Sequence, residues 1–430
     1  MIRSTSPLQS IKGSSVTNLL IWYDWYIYAA FSIYFSASFF PDGSQTVQLL
    51  KTAGIFALGF LMRPIGGRFL GAFADRYGRR KSMLLAVVLM SMGSLIIAVV
   101  PGYQTIGILA PILLLLARLL QGLSIGGGTG IVTAYLSEKA PPNRRGFYAS
   151  FQYMTLVGGQ ILALGLLVIL QHFFLTEEQL YQWGWRIPFL LGAVLSVGMY
   201  YLQVYLDETK AFEAVDAREG ARGRNIVKHL FRHPRELLYV VGLTMGGTLA
   251  FYTAIVYMQK YLINSGGLSK EDATLITFAG LLIFALIQPL FGAVSDRIGR
   301  KPLLVTFGIL GVLTTVPIMK SLSRSDSNWE IFGLLIIYLI ILSTYSSISV
   351  VVKAEIFPAE IRVIGVGLPH AITVALFGGT AEYVALWLKN AGREEWFFWY
   401  ITLTIFISLL TFIFSKDTGR HNKIDHEPSG

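Results

Sequence analysis

An all-α polytopic membrane protein, with twelve transmembrane helices in two pseudo-symmetric six-helix bundles, is the fold class this sequence predicts. Three observations carry that prediction. Of the 430 residues 54% are apolar and only 14% are charged, against about 25% charged in ordinary soluble proteins, and the mean hydropathy is +0.58. Twelve apolar stretches recur from end to end, each long enough for the roughly 20 residues that a helix needs to cross a hydrocarbon core about 30 Å thick. Two loop motifs each occur twice, at offsets of 221 and 217 residues, which is the mark of a duplicated half.

The stretches fall at 16–40, 47–71, 83–101, 106–136, 147–173, 187–206, 236–263, 271–294, 302–322, 330–353, 364–389 and 396–415. The first follows a polar tail without a small-residue cleavage site and reads as a retained span. The tract 207–235 is polar and basic and reads as a cytoplasmic linker. It divides an N-terminal bundle, 1–206, from a C-terminal bundle, 236–415, with 416–430 left as a cytoplasmic tail.

With both termini on one side, the stretches on that side hold 24 Lys and Arg, and the opposite ends and loops hold eight. The positive-inside rule makes the richer side cytoplasmic. Topology thus absorbs the formal charge of +10, and no nucleic-acid partner is needed to explain it. The absence of cysteine excludes disulfides, thiolate metal sites and cysteine nucleophiles. With no Gly-x-x-x-x-Gly-Lys-Ser/Thr loop and no His-Glu-x-x-His pair, the expectation is a protein that is not an enzyme, binds no metal or cofactor, and acts as a monomer.

Between spans 2 and 3 the chain reads Gly71-Ala-Phe-Ala-Asp75-Arg76-Tyr-Gly78-Arg79-Arg80, and between spans 8 and 9 Gly292-Ala-Val-Ser-Asp296-Arg297-Ile-Gly299-Arg300-Lys301. The second pair runs from Glu138 to Arg145 and from Glu355 to Arg362. These paired loops resemble the signature of the major facilitator superfamily. More narrowly, Trp22-Tyr23-Asp24-Trp25-Tyr26, Phe60-Leu-Met-Arg63-Pro64, Trp185-Arg186-Ile-Pro188-Phe189 and Leu206-Asp-Glu208-Thr209 resemble its metabolite:proton symporters. The passages around Gln152, Tyr252 to Tyr261 and Phe377 to Leu386 are similar to the 2-oxoglutarate carriers among them. The resemblance implies import of that dicarboxylate with protons by alternating access across a bacterial inner membrane. Shikimate, citrate, proline or betaine are the rival cargoes, and a metabolite receptor without transport is a further alternative. It also implies that the loop residues Gly71, Asp75, Arg76, Arg79, Glu138, Arg145, Asp296, Arg297, Arg300, Glu355 and Arg362 control conformation, with Asp75 and Asp296 latching the outward-open state.

The residues themselves suggest the site. An ionisable group deep in a bilayer is costly and is functional by default. Arg63 lies twelve residues before Asp75, roughly 18 Å along a helix, and Arg118 is mid-span in the fourth stretch. Guanidinium groups stay charged when desolvated and grip carboxylates bidentately, so both are candidate substrate ligands, although one of them pairing with Asp24 would be a structural alternative. Tyr28, Gln121, Gln152, Gln160, Tyr252, Tyr257 and Gln288 form a candidate polar lining, with interhelical hydrogen bonding as their ordinary role. Asp24 and Glu382 are the candidate proton carriers. Lys260 is expected to snorkel at the outer interface, His370 to be structural, and Gly122, Gly126 and Gly130 to pack a neighbouring helix. Two acidic positions of the symporter pattern are Ile21 and Gly128 here, which leaves coupling to Asp24, Glu382 or the substrate, or leaves an uncoupled exchanger.

Overall fold

The computed structural model describes residues 7–77, 79–126, 142–205, 234–357 and 359–418. Its spans are α1 (Pro7–Phe39), α2 (Gln45–Tyr77), α3 (Arg79–Val99), α4 (Leu109–Gly126), α5 (Arg145–Phe174) and α6 (Ile187–Tyr205). They continue with α7 (Pro234–Asn264), α8 (Lys270–Ile298), α9 (Lys301–Leu322), α10 (Asn328–Ile356), α11 (Ala359–Asn390) and α12 (Glu395–Phe414). Among the described residues ten of these helices are long and apolar enough to cross a membrane, and the described part of α6 is a shorter apolar helix. No strand occurs among the described residues. The helices exist because in lipid every backbone N–H and C=O must be satisfied within its own segment. Most of the linker expected at 207–235, together with Gly128, Gly130 and Glu138, lies outside the described residues, as do the side chains of Asp75, Arg79 and Arg362.

Across the middle of the molecule α5 packs along α8, and α2 along α11. The outward faces of the spans carry large exposed residues such as Leu286, Leu313 and Phe406, as expected where hydrocarbon and not water is the solvent.

Glycines set the closest crossing, between α2 and α4. A Cβ on Gly122 would lie 2.1 Å from the Gly59 carbonyl oxygen, one on Gly126 2.0 Å from the Arg63 carbonyl oxygen, and one on Gly66 2.2 Å from the Leu123 carbonyl oxygen. Backbone meets backbone there, as small residues permit in membrane helix pairs. The string Gly122-Leu-Ser124-Ile-Gly126 is therefore packing and not a nucleophile turn, and the Ser124 hydroxyl donates to the Ala86 carbonyl at 2.7 Å. Gly126→Ala should cost about 1–3 kcal/mol or more by overpacking. The expected result is a thermal melt in detergent lowered by several degrees; an unchanged melt would show that the crossing can relax.

Among the described residues three spans contain a π turn: Leu170–Phe174 in α5, Thr253–Tyr257 in α7 and Val374–Gly378 in α11. Such turns insert one residue into the helical repeat and re-aim the side chains beyond it. In α7 and α11 those side chains include Lys260 and Glu382.

Candidate substrate site

The α2–α4 crossing sets Arg63 and Arg118 side by side on the aromatic face of α1. Arg118 is fully buried, and its guanidinium lies 4.0 Å from the Trp25 ring centroid, 4.4 Å from Tyr28 and 4.9 Å from Phe56. Arg63, 7% exposed, lies 3.8 Å from Phe60, 4.3 Å from the same Trp25 and 5.3 Å from Trp22. A desolvated cation over an aromatic face gains about 2 kcal/mol, which holds each group in place without neutralising it. Nε and Nη2 of both arginines are buried without a hydrogen-bond partner, and neither is in an ion pair among the described residues. Two cations are thus packed around one indole with four donor nitrogens unused. Burying such charges unpaired costs several kcal/mol each, and an anion with several acceptor oxygens is what would repay it.

From Arg118 a chain of hydrogen bonds runs to Asp24. Arg118 Nη1 donates to Gln121 Oε1 at 2.6 Å, Gln121 Nε2 to Ser94 Oγ at 2.9 Å, and Ser94 Oγ to Asp24 Oδ1 at 2.9 Å. Ser196 Oγ donates to Asp24 Oδ2 at 2.9 Å. Asp24 is buried and among the described residues pairs with no arginine, so the structural alternative of an Asp24–arginine ion pair is not what holds it. Space for its carboxylate comes from Gly192, where a Cβ would lie 2.0 Å from Oδ1. Ile21 is partly buried against the apolar core.

The polar set is divided by the fold. Tyr28 faces Arg118 and donates its hydroxyl to the Thr52 carbonyl at 3.0 Å. Gln160 on α5 donates to the Ile255 carbonyl in the π turn of α7 at 3.0 Å, with Oε1 unused. Tyr252 packs edge-on to Phe60 at 5.1 Å, and the buried Tyr257 hydroxyl has no partner. Gln152 is half-buried on α5. Gln288 is spent between α8 and α10, donating to Phe284 and Ser343 and accepting from Ser346 at 2.9 Å.

Lys260 does not snorkel. It is 1% exposed, and its Nζ lies 2.5 Å from Glu382 Oε1, itself 4% exposed. His370 also has a charged neighbour, because the buried Lys353 Nζ lies 3.1 Å from its Nδ1.

The repeated loops mark one side of the molecule, the loop side. On it Asp296, at the end of α8, accepts from the backbone N–H of Gly146 at 2.8 Å and of Phe147 at 2.9 Å. The carboxylate thus caps the first N–H groups of α5, where negative charge is favoured. Arg300 donates to Asp296 at 2.8 Å and reaches Glu355 at 3.4 Å, and a Cβ on Gly292 would lie 2.5 Å from the Gly146 carbonyl oxygen. Arg145 starts α5 and is buried. Gly71, Arg76 and Arg297 are exposed, and a Cβ on Gly71 would meet nothing within 4 Å. On the far side Lys270 of α8 forms an ion pair with Glu177, which lies between α5 and α6. Both sides of the arginine pair are therefore bridged.

The latch role expected of Asp296 can be tested cleanly because the chain has no cysteine. With Ser150→Cys, buried beside Gly292, the further change Asp296→Asn removes charge-assisted bonds worth about 1.5–3 kcal/mol. Maleimide labelling of that cysteine should accelerate about tenfold or more, by the same energies. An unaltered labelling rate would show that Asp296 does not hold the loop side closed.

Ser94, Ser196, Gly192 and Phe56 belong to the site without any sign in the sequence. No local motif marks a serine as the partner of an aspartate on another helix, whereas Trp25 stands within the conspicuous Trp22 to Tyr26 string.

The sequence matches the family model "Sugar (and other) transporter" over residues 13–224 and the model "Major Facilitator Superfamily" over residues 249–429. It is similar to the alpha-ketoglutarate permease of Escherichia coli strain K12, with 51% identity across 96% of this chain and 94% of that one. The citrate-proton symporter of Salmonella typhi is 35% identical over 86% of this chain and 84% of its own. The proline/betaine transporter of Salmonella typhimurium is 31% identical over 96% and 84%. Among solved structures, the crystal structure of a D-xylose-proton symporter superposes with a TM-score of 0.73, covering 96% of this chain and 99% of that chain at 20% identity, a likeness of fold alone.

Proposed function

Since the chain belongs to the major facilitator superfamily, we propose that it imports 2-oxoglutarate with protons across the bacterial inner membrane by alternating access. The observation that carries this reading is the pair of buried arginines without counter-charge. Arg63 and Arg118 offer four unused donor nitrogens to an anion, which favours a carboxylate over a zwitterion such as proline. One carboxylate of the substrate takes those donors. Gln121 and Tyr28 frame it, and Gln160, Tyr252, Tyr257 and Gln152 face the rest of the molecule from α5 and α7. Gln288, already satisfied by three bonds, serves packing in this scheme.

Asp24 carries the proton. Every donor in the chain from Arg118 points toward it, so the carboxylate is the accepting end of a line that starts at the substrate's own ligand. Glu382 is held by Lys260 and is the less available acid. The loop side is the cytoplasmic one, as the basic residues indicate, and the Asp296 latch opens when substrate is released inward. A single copy of the chain contains the complete site and works as a monomer.

Proteoliposomes test the substrate. Labelled 2-oxoglutarate should exchange across them, succinate should compete less well, and proline should not compete. Proline uptake without 2-oxoglutarate exchange would overturn the assignment.

A further inference from the structure

We propose that Lys260 is the ligand for the second carboxylate of the substrate, with Glu382 steadying it while the site is empty, so that the pair selects dicarboxylates over monocarboxylates. The proposal rests on the 2-oxoglutarate reading above and assigns its other end. Lys260 lies near the outer end of α7, where a lysine with no task would extend to the interface. It is instead buried against Glu382, with Nζ and Oε1 2.5 Å apart. Replacing a buried ion pair by well-packed apolar side chains is commonly neutral or stabilising, so stability alone does not account for these two charges. An ammonium has three donors, and Glu382 takes one.

Position points the same way. The helix α11 crosses α2 closely: a Cβ on Gly379 would lie 2.5 Å from Phe60, and one on Gly54 would lie 3.5 Å from the Tyr383 ring. Glu382 sits between those two crossing points on α11, and Phe56 sits between them on α2. Phe56 is also the ring 4.9 Å from the Arg118 guanidinium. The Lys260–Glu382 pair and Arg118 are therefore at similar depth in opposite halves of the molecule. Tyr28 stands on the Arg118 side, its ring centroid 4.4 Å from that guanidinium. One turn before Lys260, Tyr257 presents a buried hydroxyl without a partner. The π turns of α7 and α11 end at Tyr257 and Gly378, just ahead of the two charged residues. They give each helix an extra residue where it turns its charge inward, and such turns recur at functional sites. A molecule with a carboxylate at each end can thus be held by the arginine pair at one end and by Lys260 at the other, whereas a monocarboxylate engages only one station.

The test uses reconstituted protein and the double variant Lys260→Gln with Glu382→Gln, which removes both charges together and leaves two amides able to bond each other. Competition against labelled 2-oxoglutarate is measured with unlabelled 2-oxoglutarate and with 2-oxopentanoate, which has the same chain length and lacks the second carboxylate. The wild type should prefer the dicarboxylate by about tenfold or more, the factor that one charge-assisted contact supplies. The double variant should lose that preference, through weaker 2-oxoglutarate binding and unchanged 2-oxopentanoate binding. Glu382→Gln alone keeps the ammonium and should keep the preference. Undiminished selectivity in the double variant, or its loss in Glu382→Gln, would overturn the proposal. A wild type that does not exchange 2-oxoglutarate at all would instead overturn the function on which it rests.

Discussion

Arg118→Met should weaken 2-oxoglutarate binding about 10- to 150-fold, the factor that corresponds to a lost charge-assisted pair of about 1.5–3 kcal/mol, while leaving the substrate-free protein no less stable. The two halves of that expectation come from one observation. Arg118 is fully buried, with Nε and Nη2 unpartnered and no carboxylate beside it. In the empty site its charge is a burden, and removing an uncompensated buried charge in favour of an apolar side chain of similar reach relieves it. Methionine is preferred to alanine because it fills the space among Trp25, Tyr28 and Phe56 and avoids a cavity penalty. Arg118→Lys should restore little, since an ammonium lacks the planar fork and its extra donors. A purely structural arginine would behave oppositely, with a lower melting temperature and intact binding. Thermal melts and exchange in the same preparations separate the two outcomes. Unchanged affinity in both Arg118→Met and Arg63→Met would return these residues to packing.

Much of this architecture is legible without coordinates, for identifiable reasons. Span length is set by bilayer thickness, so the twelve apolar stretches locate most helix ends to within a few residues; α1 starts nine residues early, at Pro7, because the polar tail continues the helix, and α2 overruns its expected end, reaching Tyr77, because the loop motif does the same. Arg63, Arg118 and Asp24 stand out because charge is rare in apolar helices. The pairing of side chains across helices is another matter. Lys260 and Glu382 are 122 residues apart, Asp24 and Ser196 172 apart, and Asp296 and Gly146 150 apart. Such pairings depend on how each helix is rotated about its axis. A span that is apolar on every face, lipid outside and core inside, gives little sign of that rotation. The π turns in α7 and α11 compound this, since an inserted residue shifts the register that ideal spacing would assume. Lys260 therefore reads as an interfacial residue although its partner lies on another helix.

Asp24→Asn should abolish accumulation driven by a proton gradient and spare exchange. Each proton carried down a gradient of one pH unit supplies about 1.4 kcal/mol, a factor of about ten in accumulation ratio; a carrier that moves no proton can only equilibrate its substrate. Asparagine is nearly isosteric with the carboxyl it replaces, which matters because Gly192 leaves no slack around it. Its amide can still accept from one serine and donate to the other, so Ser94 and Ser196 stay satisfied and the line of bonds from Gln121 is kept. The variant resembles a permanently loaded carrier. Its exchange, which needs no net proton movement, should remain within about twofold of the wild type, because the arginine pair and its donors are untouched. With the uncharged Ile21 and Gly128 in its first half, no other unpaired carboxylate among the described residues of the spans lies on a path from the proposed substrate ligands. If Asp24→Asn still accumulates 2-oxoglutarate under an imposed gradient, the proton travels elsewhere and Glu382, released from Lys260, becomes the carrier. If the wild type itself equilibrates without accumulating, the chain is an exchanger and Asp24 serves only to order its serines.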